Sequence, residues 1–216
     1  MIDLKRIKQK EQMQSTTFKV IGLTGGIASG KSLVAKFLSQ HKIPVISLDR
    51  LGAKALGEAS TQKAVAESFG ITLAQLKKLD RHAIRELVFH DAKKRKQLES
   101  LLHPRIMQLF QKQCQRLEKK GHRLVVGEAA LFIEKKLDQS LDGLIVVLAD
   151  EKIRKSRAKD RDKISDKLIS AILKTQTTDA IRRRHASVII HNHGTQKELS
   201  AKVDALVQSW KAQGWI

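Results

Sequence analysis

The chain has 216 residues, long enough for one well-packed α/β domain with a small insertion, and its 41% apolar and 30% charged content excludes a disordered polymer. A net charge of +20, from 42 Lys and Arg against 22 Asp and Glu, favours anionic partners such as polyphosphates, nucleic acid or an acidic membrane surface. Aromatic residues make up only 4%, with no Tyr, so the interleaved stacking residues of a single-strand binder are missing, and no apolar run approaches the roughly 18 residues that cross a bilayer.

Residues 1–17 carry Lys5, Arg6, Lys8 and Lys10 together with Asp3 and Glu11. They have neither the apolar core of a signal peptide nor the acid-free composition of a transit peptide, and read as a polar extension. A single cysteine, Cys114, has no internal disulfide partner and lies in an apolar helical pattern, which predicts a buried thiol and fits a cytoplasmic protein.

Phe18 to Leu23 is a short apolar run that leads straight into glycines, the pattern of a buried parallel strand. Leu33, Val34, Phe37 and Leu38 then repeat at helical spacing, and Ile43 to Leu48 reads as a second strand. A mostly helical excursion follows over about 50–120, with Leu87, Val88 and Leu98 on inner faces. His103-Pro104 predicts a break there, with Pro opening a new helix. That helix carries Ile106, Leu109, Phe110 and Leu117 as its stripe, and Gly121 stops it. Strands are expected at Leu124–Val126, Leu144–Leu148 and Val188–Ile190, with a charged helical segment between the last two. A final helix carries Leu199, Val203, Leu206, Val207 and Trp210 on one face. The alternation predicts an α/β fold, a five-stranded parallel sheet with helices on both faces, forming a single domain over 18–212.

Gly25-Gly26-Ile27-Ala28-Ser29-Gly30-Lys31-Ser32 fits G-x-x-x-x-G-K-[ST] between a strand and a helix. Glycines let the backbone turn its N–H groups toward phosphate oxygens, and the following helix adds its positive end. Gly26, Ile27, Ala28, Ser29, Gly30, Lys31 and Ser32 are therefore the expected ATP-binding residues. Lys31 reaches the β- and γ-phosphates, and the Ser32 hydroxyl is placed to ligate Mg²⁺. The loop alone leaves kinase, GTPase, ATPase motor and binding module open.

Asp49 ends the second strand, where ligands gather in an open α/β sheet. It can orient or deprotonate an attacking hydroxyl, or simply cap the next helix. Glu128 stands after the third strand, where a carboxylate can hold Mg²⁺ through water, although Gly127 interrupts the run. Arg154, Arg157 and Arg161 follow the fourth strand, and Arg157 and Arg161, four apart, share a helix face from which to stabilise transferring charge. Nearby Asp150, Asp160, Asp162 and Asp166 allow ordinary surface ion pairs instead.

In the order and spacing of these pieces, the stretch from Phe18 to Asn192 resembles dephospho-coenzyme A kinase. Ile21-Gly22-Leu23-Thr24-Gly25-Gly26-Ile27 with Ser29-Gly30-Lys31-Ser32 is similar to that family's phosphate loop, and Leu102-His103-Pro104 to its Leu-His-Pro turn. Leu79-Asp80-Arg81 with Leu87-Val88-Phe89 resembles its acceptor-side segment, and Leu131-Phe132-Ile133-Glu134 its Leu-Leu-Phe-Glu run. The resemblance implies a P-loop kinase fold with acceptor-binding and lid segments, the lid over about 150–177. It implies transfer of the ATP γ-phosphoryl to the ribose 3′-hydroxyl of dephospho-coenzyme A, with Mg²⁺ as cofactor, Asp49 as base and Arg157 and Arg161 as lid arginines. It places Gln176 and Arg182 on a later Gln and basic position and Asn192 on the Asn after the last strand, at the nucleotide. Arg81 and His103 are the acceptor-side candidates. Ser47, Ala130 and His191 depart from the family pattern. No metal site is expected at His191 and His193, and no nucleic-acid or membrane partner; another small-molecule kinase and a P-loop nucleic-acid binder are the alternatives.

Overall fold

The computed structural model describes residues 18–216 except 80–82, 85, 86, 89, 90, 163–168, 170–172, 174 and 175. Arg81 and the 1–17 extension therefore lie outside the described residues, as does part of the expected lid. The chain divides into two compact units: residues up to Ser47 together with Cys114–Ile216, and Leu48–Gln113.

The first unit is built on five parallel strands, β1 (Lys19–Gly25), β2 (Val45–Ser47), β3 (Leu124–Glu128), β4 (Gly143–Leu148) and β5 (Val188–His191), in the order β2-β3-β1-β4-β5. β1 is central, paired with β3 on one side and β4 on the other, and is buried from Ile21 to Gly25. Ile21 and Leu23 pack with Leu124, Val126, Ile145 and Val147 in one cluster, while Val125, Val146 and Leu148 on the other face are buried as well. Helices α1 (Lys31–Gln40) and α8 (Gln196–Ala212) cover the first face through Val34, Leu38, Leu199, Val203, Val207 and Trp210. Thr195 caps α8 in a reciprocal box with Glu198. Chain order passes from β1 to one side and then crosses to β4 on the other, so a crevice opens beyond the carboxyl end of β1.

Two strand boundaries differ from the sequence reading. β2 covers only Val45–Ser47, and Leu48 already belongs to a helix. β3 continues through Gly127, which pairs with Gly22 and Ile46, and ends on Glu128. Gly127 does not interrupt the strand, because a ladder bonds through backbone and needs no side chain.

The second unit is helical, with α2 (Leu48–Gly57), α3 (Ala59–Phe69), α4 (Leu73–Lys78) and most of α5 (Ala92–Glu118). Its core is Val65, Ala66, Phe69, Leu76 and Ile84, with Leu87, Val88 and Leu98 packed against it. The break expected at His103-Pro104 is absent: α5 runs through Pro104. Proline removes the N–H that would serve the carbonyl of Ser100, but both residues are exposed, so water can satisfy that carbonyl. α5 stops where expected. Gly121 is left-handed (φ 84°), and the His122 N–H returns to the Leu117 carbonyl at 3.2 Å.

Between β4 and β5, α6 (Glu151–Asp162) and α7 (Asp179–His185) are separate helices rather than one charged segment. The Thr178 hydroxyl accepts the Ile181 N–H and starts α7 afresh. Among the described residues, no helix is long and apolar enough to cross a membrane.

Candidate phosphotransfer site

The loop after β1 turns tightly because two of its residues take left-handed backbone, Ala28 (φ 54°) and Gly30 (φ 103°). Alternating handedness aims successive N–H groups inward, the geometry of an anion nest. The Ser29 N–H bonds the Gly26 carbonyl at 3.1 Å, and α1 begins on the Gly30 carbonyl, which accepts from Leu33 and Val34. Lys31 is half-buried at the first position of α1, and Ser32 is exposed beside it.

Contacts from residues outside it hold the loop. Asn192, buried just past β5, donates its side-chain amide to the Ser29 carbonyl at 2.8 Å. Gln176 accepts the Ile27 N–H at 2.9 Å. Ser32 donates its hydroxyl to Glu128 at 3.0 Å, joining the start of α1 to the end of β3. On the α6 side, Arg157 Nη1 donates to the Asn192 carbonyl at 3.1 Å. Ala28, Gly30, Leu33, Arg157, Asp160 and Asn192 line a cavity of about 470 Å³ beside the loop.

The structure thus gathers Ser29, Gly30, Arg157 and Asn192 at one place and couples Ser32 to Glu128 at another. Arg161 lies on α6 four residues beyond Arg157, and its side chain lies outside the described residues. Asp49 is exposed in the first turn of α2, and His103 is half-buried along α5; both belong to the second unit. His191 and His193 stack with ring centres 5.4 Å apart, and His193 Nδ1 lies 3.2 Å from an Asp150 carboxylate oxygen. His191 is held below the usual histidine range, first by burial and then by Arg183, His193 and Lys202, with Asp150 opposing. Among the described residues, no group of three or more His, Cys, Asp or Glu is placed to hold a metal.

The sequence set Arg154 among the arginines after the fourth strand and Arg182 on a basic position of the family, but did not show that both are buried at the loop. Arg154 is 7% exposed and Arg182 only 2%. Asp179 faces both, 2.8 Å from Arg182 Nη1 and 3.5 Å from Arg154 Nη2. Arg182 is the first of three consecutive arginines, and Arg183 and Arg184 are exposed. Composition cannot separate them; position relative to the sheet does.

A parallel sheet in this order, with a phosphate-shaped loop at its switch point and cations beside it, defines a P-loop phosphotransferase. The chain belongs to the dephospho-CoA kinase family, whose model matches residues 19–198. It is 34% identical over 192 residues to a dephospho-CoA kinase of Shouchella clausii, covering 88% of this chain and 98% of that one. A dephospho-CoA kinase of Fusobacterium nucleatum is 30% identical over 191 residues, covering 88% and 97%. The solved dephospho-CoA kinase of Campylobacter jejuni aligns with a TM-score of 0.65 at 25% identity over 91% of this chain and 98% of its own. A solved Thermus thermophilus protein aligns with a TM-score of 0.75 at 31% identity over 89% and 97%.

Proposed function

We propose that this chain transfers the γ-phosphoryl of ATP to the ribose 3′-hydroxyl of dephospho-coenzyme A, giving coenzyme A and ADP, the last step of coenzyme A biosynthesis, in the cytoplasm. The observation that carries this reading is the complete phosphate loop, Gly25 to Ser32, within a family match spanning residues 19–198. The loop N–H groups and Lys31 bind the triphosphate, and the cavity bounded by Arg157 and Asn192 takes the nucleoside.

The Ser32 hydroxyl and Glu128 carboxylate are hard oxygen donors 3.0 Å apart, a set that suits Mg²⁺. When bound with the triphosphate, Mg²⁺ neutralises charge on the β- and γ-oxygens. Asp49 accepts the proton of the ribose hydroxyl as that oxygen bonds to phosphorus and the bond to ADP breaks. Arg157 and Arg161 hold the transferring group, and Arg81 and His103 serve the anionic acceptor.

Purified protein with ATP, Mg²⁺ and dephospho-coenzyme A is expected to form coenzyme A and ADP in equal amounts, read by chromatography. Folded protein that binds ATP yet forms no coenzyme A refutes the reading, and a panel of nucleosides and sugars then identifies the acceptor.

A further inference from the structure

Arg154 on α6 and Arg182 on α7 converge on Gly26, the first residue past β1. A Cβ added at Gly26 would run into Arg154 Nη1 and lie 3.3 Å from Arg182 Nη1. Both side chains are more than nine-tenths buried. Burying a guanidinium is costly unless it is paired and its donors are satisfied.

Pairing is incomplete here. Asp179 is shared between the two, and Glu134 lies 3.8 Å from Arg182 Nη2, outside hydrogen-bond reach. Glu134 instead accepts the Thr177 N–H at 2.7 Å. Among the described residues, buried Arg154 Nε and Arg182 Nη2 have no hydrogen-bond acceptor. These cations also stand beside inward-facing N–H groups and the positive end of α1, which repel them. A purely structural ion pair gains nothing from that position, whereas a polyphosphate supplies the missing acceptors and relieves the repulsion together.

We propose that Arg154 and Arg182 form a guanidinium pair that binds the terminal phosphoryl group of the nucleotide over Gly26, in addition to Arg157 and Arg161. The proposal rests on the kinase reading above and deepens it. α6 has two jobs, delivering Arg157 to the Asn192 carbonyl and, three residues earlier, Arg154 to Gly26.

Because ADP lacks the terminal phosphoryl, the pair acts on ATP alone. Calorimetric titration of Mg²⁺-ATP and Mg²⁺-ADP, without acceptor, is made on the unmodified chain, Arg154→Gln, Arg154→Lys, Arg182→Lys and Lys155→Gln. Arg154→Gln is expected to weaken ATP about tenfold while ADP stays within about twofold, and to lower kcat for coenzyme A formation about 10²-fold. The two Lys variants keep the charge but lose the planar fork, and are expected to fall between. Lys155→Gln removes an exposed charge of the same helix, one that pairs with Glu151 at 2.7 Å, and is expected to change neither ligand. Equal losses for ATP and ADP, or none, overturn the proposal. If Arg154→Gln fails to fold by circular dichroism, the same comparison on the two Lys variants decides it. If the unmodified chain does not phosphorylate dephospho-coenzyme A, the acceptor reading fails, while the ATP-to-ADP ratio still judges Arg154.

Discussion

The Ser32 hydroxyl donates to the Glu128 carboxylate at 3.0 Å, so two residues 96 positions apart meet where β1 leads into α1 and β3 ends. Strand order makes β1 and β3 neighbours, and their register sets Leu23 against Glu128. Removing the carboxylate keeps the tethers from Asn192 and Gln176 but takes away the oxygen donors beside Ser32. Glu128→Ala is expected to raise the Mg²⁺ concentration for half-maximal activity by about tenfold or more. Initial rates against total Mg²⁺ at fixed ATP check this, and an unchanged curve removes Glu128 from the metal's surroundings.

Asp49→Asn preserves shape and removes the proposed proton acceptor. The expected loss in kcat is about 10²- to 10⁴-fold with ATP affinity retained. Turnover near the unmodified rate would dismiss Asp49 as the base.

Gly30 combines a backbone (φ 103°) that L-residues rarely adopt with a neighbour, Asn192 Nδ2, that any Cβ would strike. Gly30→Ala is expected to cost about 1–3 kcal/mol from backbone strain alone. It should also push Asn192 off Ser29 and weaken ATP binding. Asn192→Ala removes the same tether without the strain, so it should weaken ATP binding with a smaller fall in Tm. Thermal unfolding beside nucleotide titration separates the two effects, and equal falls in Tm would contradict the account.

The helical and sheet elements are legible because their physics is local. Parallel strands buried on both faces are continuous apolar runs, as at Leu144–Leu148, and Val203, Val207 and Trp210 repeat at helical spacing. Pro104 misled because proline's cost in a helix depends on exposure, which sequence does not state. The phosphate loop is contiguous and so was readable. Its supports were only partly so: Gln176 and Asn192 stand 149 and 163 residues from the atoms they hold, and Arg182 differs from Arg183 only in what surrounds it.

His191 gives a pH dependence with a definite sign. Its folded-state pKa lies below the ordinary value of 6.5, so between the two values the unfolded chain binds more protons. The contribution of neutral His191 is complete above the unfolded value and is lost as pH falls through the folded one. His191→Gln is expected to flatten the decline of Tm as pH falls below the ordinary histidine value of 6.5, with little change above it. A decline as steep as in the unmodified protein would assign the acid sensitivity elsewhere.

Cys114 lies buried on α5, and burial pushes its thiol up to about 12. Thiolate is the reactive form, so alkylation near pH 8 is expected to be slow in folded protein and fast in denaturant. Rapid labelling under native conditions would contradict that burial.

The amide that braces Ser29 comes from Asn192, 163 residues later in the chain. On a ribosome, the glycine-rich turn is therefore made first and waits for a further 163 residues before its brace exists. A nascent chain halted before residue 192 owns the recognisable motif but not its brace, and is expected to hold nucleotide less tightly than a chain whose last strand has been inserted.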